Sequence, residues 1–448
     1  MPAGPLRALA TDSRQAGPGS LFFALKGEKA DGHEFLAAVA AAGAAAVVRA
    51  DFPADRLPAD GAFLVVDDVL AALGRFAAGY RATLPARLVG VTGSVGKTTT
   101  KELVADLLAT VGPTGRTAGN YNNEIGLPLS VAGLDRTCAF GVIEAGISHP
   151  GEMAPLREIL RPDAAVVTRL GPVHVEFFAS VRAIAEEKAA LLEKLPPSGF
   201  AVLDRDDEFF DVLRAHASAP VAACSLRDAG ADYFGAPQAD GRLLVVERAS
   251  GERRALPVPP PGAYMAENVL RAVAVARRWG GTWDALADAL ARAHSVGMRW
   301  AVGEVRGWTA INDGYNANPI SLRAALQAFA DWPAAGRKFL AVGSMLELGR
   351  RERDEHVALG QFAAAGGWAG IAVVPWRRPD GAPDAAAAAL ADGVRAGGWP
   401  EENLCVAADA AAAAAWLRAR LQPGDALLLK ASRGVRIERV LEELRKES

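Results

Sequence analysis

Cysteine is scarce, with three residues in 448. Cys138, Cys224 and Cys405 are scattered, cannot all pair, and show no metal-ligand spacing, which suits a reducing compartment. Charge of one sign is lacking too: the net charge is −3, leaving no electrostatic footprint for nucleic acid or anionic lipid. Long hydrophobic runs are also missing. The longest, Leu36 to Val48, is Ala-rich and too short to span a bilayer. The opening "MPAGPLRALATDSR" has no basic start leading into an apolar core. The expectation is a soluble, cytoplasmic chain, acting as a monomer, with no nucleic-acid partner and no membrane insertion.

What is present is an ordinary globular balance, 51% hydrophobic and 23% charged, long enough for two or three domains. Short apolar runs alternate with long Ala/Leu-rich helical stretches, which predicts an α/β fold in three blocks. Residues 1–85 hold the candidate strands "GSLFFAL", "AAAVV" and "FLVV", and the block ends where Pro85 breaks a helical pattern. Residues 86–298 hold "LVGVT", "FGVIE" and "AAVVT", then a polar, turn-rich excursion from Arg227 to Arg254 and the proline cluster "LPVPPPG". Residues 299–448 hold "WTAIN", "KFLAVG", "IAVV" and "ALLLK". The alanine runs Ala385–Ala389 and Ala410–Ala415 read as helices covering a parallel sheet.

The most informative stretch is "VGVTGSVGKTTTKE", Val89 to Glu102. A strand, a glycine turn and a helix start make an anion site from backbone N–H groups and the helix dipole. Lys97 is placed to neutralise β/γ-phosphate charge and the Thr98 hydroxyl to hold Mg²⁺. The usual phosphate loop carries a glycine where this chain has Val91. The loop predicts a nucleoside triphosphate and leaves the acceptor unnamed.

Other polar residues fall at predicted strand ends, where ligands gather in parallel sheets. Glu144 ends "FGVIE" and is a candidate second Mg²⁺ ligand, against an exposed strand-end glutamate at even odds. His174 follows "AAVVTRLGPV"; a lone histidine is more often structural. Lys188, in "AIAEEKAALLEKL", reads first as a solvated charge, although periodicity permits it to face inward with Ala185 and Leu192, leaving Glu186 and Glu193 outward. In "INDGYNANPISLRAAL", Asn318 and Pro319 are helix-start chemistry, which leaves Asp313, Tyr315 and Asn316 unexplained.

Taken together, these segments resemble the Mur ligase family of ATP-dependent amide-forming enzymes. The tightened "TGSVGKTTTKE" is similar to that family's form of the loop. "NYNNEIGLPLS", "NDGYNANPIS", "VGSMLELG" with His356 downstream, and "LLLKASRG" carry the likeness to the carboxyl end, and "TDSRQAGPGSLFFALKGEKADGHEF" carries it at the amino end. The resemblance implies three domains: a small α/β UDP-binding domain, a central P-loop-type parallel-sheet ATPase domain, and a Rossmann-like α/β ligase domain. It further implies that D-alanyl-D-alanine is joined to UDP-N-acetylmuramoyl-tripeptide through an acyl phosphate, for peptidoglycan. The Asp-Asn-Pro-Arg stretch expected of the diaminopimelate- or lysine-adding relative is absent. The identity of the tripeptide's third residue, and a D-alanyl-D-lactate acceptor, stay open.

By the same resemblance, Gly93, Ser94, Val95, Gly96, Lys97, Thr98, Thr99, Asn268, Asp313 and Asn316 bind ATP. Thr98 and Glu144 hold one Mg²⁺; His174, aided by Lys188 as a carbamate, holds a second. Ser13, Arg14, Lys26, Asp31 and His33 face the uridine nucleotide, with Asn122, Asn123, Lys430, Ser432 and Arg433 as further substrate contacts. The chain departs from the family pattern at Arg169, Tyr264, Met265, Gly314, Ser344 and Ala431. The rival readings are a folylpolyglutamate- or tripeptide-forming ligase, a P-loop kinase or switch NTPase, and a nucleotide binder without catalysis.

Overall fold

The structure is a computed structural model and describes residues 6–27, 30–260, 263–295, 297–382 and 384–446. Glu28 and Lys29 of "KGEKADGH", Gly262, and the side chain of Tyr264 lie outside the described residues.

Three sheets appear among the described residues. The first is parallel throughout, in the order Ala8–Ala10, Ser20–Phe23, Ala45–Arg49, Ala62–Val66. The helix Val69–Thr83 follows and docks onto the second unit. There the Tyr80 hydroxyl donates to the Leu134 carbonyl at 2.7 Å and Arg81 pairs with Asp163 at 2.8 Å.

The central sheet has nine strands. Its parallel part runs Val221–Ser225, Phe200–Asp204, Ala164–Val167, Arg87–Thr92, Phe140–Glu144, Thr114–Arg116. Its residues alternate between two cores. Val89, Val91, Val142, Val166 and Val202 pack toward the helices Lys97–Leu108 and Ala263–Arg278. Leu88, Ile143, Val167 and Leu203 pack toward Gly126–Ala132, Met153–Leu160 and Val181–Ala189. Burying each such side chain stabilises by roughly 1.5–3 kcal/mol, so both faces of the sheet are fixed. This explains why the strands read as unbroken apolar runs.

The excursion from Arg227 to Arg254 is not an irregular loop. It forms three strands, Tyr233–Pro237, Leu243–Glu247 and Arg253–Leu256, that extend the sheet, the last two pairings being antiparallel. The third sheet runs Ala301–Val305, Trp308–Asn312, Ala426–Lys430, Lys338–Gly343, Gly370–Val374, Leu404–Val406, and only the first pair is antiparallel. The alanine runs lie in the helices Ala385–Ala396 and Ala410–Arg418, whose buried faces cover this sheet. None of the described helices is long and apolar enough to cross a membrane.

Candidate active site

Strand Arg87–Thr92 sits between Ala164–Val167 and Phe140–Glu144, so three strand ends converge on one crevice. Val91 lies inside the strand and is fully buried. The turn therefore occupies only residues 93–96, and the glycines fall where the backbone needs them. Gly93 has φ +141° and Gly96 φ +89°. A Cβ on Gly93 would stand 2.0 Å from Thr168 Oγ1.

The backbone N–H groups of Ser94 and Val95 both donate to the Arg169 carbonyl, at 3.0 and 3.1 Å, and Ser94 Oγ donates to Gly171 O at 3.0 Å. These amides pin the loop to the neighbouring strand's exit and are not free for phosphate. Those of Gly96, Lys97, Thr98 and Thr99 have no partner among the described residues. They form the open helix start that favours an anion. Lys97 Nζ donates to the Gly93 carbonyl at 2.8 Å. Burial depresses its pKa, Glu144 opposes that shift, and Arg299 adds to it.

Thr98 Oγ1 donates to Glu144 Oε2 at 2.7 Å, and Asn122 Nδ2 donates to Glu144 Oε1 at 2.7 Å. Arg299 Nη2 reaches from the third unit and donates to Thr98 Oγ1 at 2.8 Å, with its guanidinium 4.1 Å from the Tyr315 ring centroid. No sequence signal marked Arg299, because the contact joins residues two hundred positions apart. Thr98 and Glu144 present two hard oxygens side by side. Among the described residues no three His, Cys, Asp or Glu side chains form a metal cage. That donor set fits Mg²⁺, which takes one or two protein oxygens and completes its shell with phosphate and water.

His174 has φ +58°, and its Nδ1 lies 2.5 Å from Glu347 Oε2 of the third unit, off the hydrogen-bond direction. The histidine also depresses the Glu347 pKa. Lys188 is 2% exposed, with Ala185 and Leu192 buried beside it and Glu186 and Glu193 outward. Burial pushes its pKa far down, and Lys97 adds to the shift.

On the third unit, Asn318 caps the helix Pro319–Asp331 in a reciprocal box with Ser321. Asp313 Oδ1 accepts from the Trp300 N–H at 3.1 Å, and Oδ2 accepts from Lys430 Nζ at 2.6 Å. Lys430 also donates to the Asn316 carbonyl at 3.1 Å. Ser432 Oγ donates to Ala317 O and accepts from Leu346 N, both at 3.0 Å. Lys430 and Ser432 are thus engaged with the chain itself.

A cavity of about 550 Å³ brings together Ser94 to Thr99, Asn122, Asn123, Glu144, His174, Asn268, Asp313, Asn316 and Lys430. It also takes in Asn120, His149, Arg169, Arg299 and Tyr315. An adjoining pocket of about 240 Å³ is lined by His174, Tyr315, Leu346, Glu347, Ser432 and Arg433. Lys188 lines neither. The amino-terminal candidates lie apart from both. Arg14 is largely exposed and paired with Asp12, whose pKa falls to about 2. His33 is buried, with Nδ1 2.6 Å from Asp31 and Nε2 accepting from the Arg49 N–H at 3.0 Å, so both ring nitrogens are taken. Lys26 bridges to Asp31 through the backbone, and Ser13 opens the turn Ser13–Gln15.

Several departures have physical reasons. A Cβ on Gly314 would meet Ile437 Cγ2 at 2.6 Å. Ser344 Oγ donates to Asp384 at 2.5 Å, and Ala431 fills a closed position in the core.

Matches to the Mur ligase family cover residues 5–81 (Mur ligase family, catalytic domain), 91–276 (Mur ligase middle domain) and 298–433 (Mur ligase, glutamate ligase domain). The chain belongs to the Mur ligase family. It is 34% identical to the UDP-N-acetylmuramoyl-tripeptide–D-alanyl-D-alanine ligase of Synechocystis, over 98% of this chain and 92% of that one. Its fold is similar to crystalline MurF of Acinetobacter baumannii, with TM-score 0.85, 28% identity, and 100% and 95% of the two chains covered. MurF of Thermotoga maritima in complex with ADP gives TM-score 0.82 at 29% identity, covering 99% and 98%.

Proposed function

We propose that this chain is the ATP-dependent ligase that joins D-alanyl-D-alanine to UDP-N-acetylmuramoyl-tripeptide in peptidoglycan precursor synthesis. The observation that carries the reading is the meeting of Lys97, Glu144 and Arg299 around Thr98 in one cavity shared by the second and third units. Whole-length likeness to ligases of that name supports it.

A carboxylate cannot be displaced by an amine, because the leaving group would be oxide. One tripeptide carboxylate oxygen attacks the γ-phosphorus and ADP departs, giving an acyl phosphate. The dipeptide amine then attacks the acyl carbon, loses a proton, and inorganic phosphate leaves. The free amides of residues 96–99 orient the triphosphate. Lys97 and Arg299 balance negative charge as it builds on the transferring group. Thr98 and Glu144 would hold one Mg²⁺, and His174 with a carbamate on Lys188 a second; bound, such ions neutralise phosphate charge. Lys430 and Ser432 brace the loop carrying Asp313 and Asn316, and the adjoining pocket with Arg433 receives the dipeptide. Contact between the second and third units excludes water that would hydrolyse the acyl phosphate. Ser13, Arg14, Lys26 and Asp31 surround the uridine diphosphate, with His33 fixing their loop.

Phosphate release is expected only when ATP, the tripeptide nucleotide and D-alanyl-D-alanine are all present, with amide product found by mass spectrometry. Vigorous phosphate release without the dipeptide, and no amide, would establish an NTPase instead. Arg299→Ala is expected to lower kcat by about a hundredfold. Uridine-nucleotide affinity should stay unchanged by calorimetry, because Arg299 acts only where the two later units meet.

A further inference from the structure

Behind one wall of the cavity lies a guanidinium that the scheme above does not use. Arg271, on the helix Ala263–Arg278, is 1% exposed. A buried cation is costly unless paired, and this one is held twice. Its Nη2 stands 2.5 Å from Asp204 Oδ2 and 3.2 Å from Glu267 Oε2. A methionine would fill the same core volume without those partners, so packing alone does not account for the charge.

The other arm of the fork points at a candidate nucleotide residue. Arg271 Nη1 donates to Asn268 Oδ1 at 3.3 Å, and the Thr100 hydroxyl donates to the same oxygen at 3.0 Å. Arg271 decides which way the amide lies: the Thr100 hydroxyl could accept from a flipped NH₂, but a guanidinium has no acceptor and would face it donor to donor. Among the described residues the Asn268 NH₂ then has only Met265 Sδ, at 3.9 Å, a weak acceptor. Asn268 lines the cavity, and a Cβ on Gly96 would stand 2.8 Å from Asn268 Oδ1. The amide therefore sits against the start of the phosphate-binding helix with a donor that no strong acceptor among the described residues takes up.

We infer that Arg271 is a positioning residue for ATP: it fixes the Asn268 amide so that its NH₂ donates to an acceptor nitrogen of the base. The inference rests on the assignment of Asn268 to the nucleotide. Glu267 couples this brace to the cavity mouth, since its other oxygen pairs with Arg169 Nη1 at 3.2 Å.

The test uses the full chain with ATP and its 1-, 3- and 7-deaza analogues, each lacking one ring acceptor. In the parent one analogue should show a raised KM. The double variant Asp204→Asn/Arg271→Met removes both charges of the buried pair together. It should raise KM for ATP by roughly three- to tenfold, the worth of one hydrogen bond, with kcat within twofold and the deaza discrimination lost. Arg271→Lys keeps a buried cation for Asp204 but loses the fork, and should raise KM for ATP with an unchanged melting temperature. Unchanged KM for ATP in Asn268→Ala would remove the assignment on which the inference stands. Raised KM in Asn268→Ala, with parental KM and deaza discrimination in both Arg271 variants, would overturn the inference itself. So would a parent indifferent to all three analogues.

Discussion

Lys97→Ala is expected to lower turnover by about a thousandfold, the upper range for removing a preorganised charge-stabilising donor. The ammonium is buried beside the open helix start and donates to the Gly93 carbonyl. That contact holds it within the loop that would cradle the phosphates. Burial and Arg299 depress its pKa, so an arriving phosphate restores favourable surroundings for the charge. The variant should bind the uridine nucleotide normally, because the amino-terminal candidates share no cavity with Lys97. The measurement is a coupled phosphate assay beside a calorimetric titration with UDP-N-acetylmuramoyl-tripeptide. Retained turnover would remove Lys97 from the chemistry, and lost uridine-nucleotide affinity would overturn the separation of the two sites.

The loop and the strand ends were legible because local chemistry dictates them. "GSVGKTTT" after an apolar strand has few other uses, and Asn318 with Pro319 writes its own helix start. The orientation of Lys188 was permitted by periodicity, not required by it. What escaped were structures made by distant partners. Strand Leu243–Glu247 is short and bounded by Arg242 and Arg248, so it reads as part of a polar loop until Tyr233–Pro237 and Arg253–Leu256 pair with both its edges and Leu243 and Val245 are buried. The short strands Ala8–Ala10, Thr114–Arg116 and Leu404–Val406 at sheet edges gave too few residues for any period to register. Arg299 sits in "GMRW" with nothing local to separate it from a surface arginine. Arg271 lies in an alanine- and valine-rich helix, where a long charged side chain reads as solvated. Lys430 and Ser432 have the composition of substrate contacts and line the two cavities, and no local pattern reveals that they also hydrogen-bond Asp313, Asn316 and Ala317.

Lys188→Ala is expected to lower the rate by at least about a hundredfold while leaving the fold intact. Among the described residues the Lys188 ammonium has neither a hydrogen-bond nor an ion-pair partner, and it is buried with Lys97 as a charged neighbour. A bare cation there is disfavoured by desolvation and by Lys97, with Glu187, Glu144 and Glu152 opposing the shift only in part. Burial therefore shifts the balance toward the neutral amine, and that is the form that reacts with CO₂: nitrogen bonds to carbon, one proton leaves, and a carbamate anion remains. That change turns a repelling cation into an oxygen donor suited to a hard metal. The sign of the linkage gives a second readout. The unfolded chain binds a proton at Lys188 up to the ordinary lysine pKa, whereas the folded chain releases it well below. This residue's contribution therefore opposes folding at neutral pH and weakens as pH rises. Lys188→Met should accordingly melt no lower than the parent at pH 7, although it loses activity. ¹³C-labelled CO₂ should give a carbamate resonance in the parent and none in the variant. Near-normal turnover in Lys188→Ala, or a parent without that resonance at full activity, would end the carbamate reading.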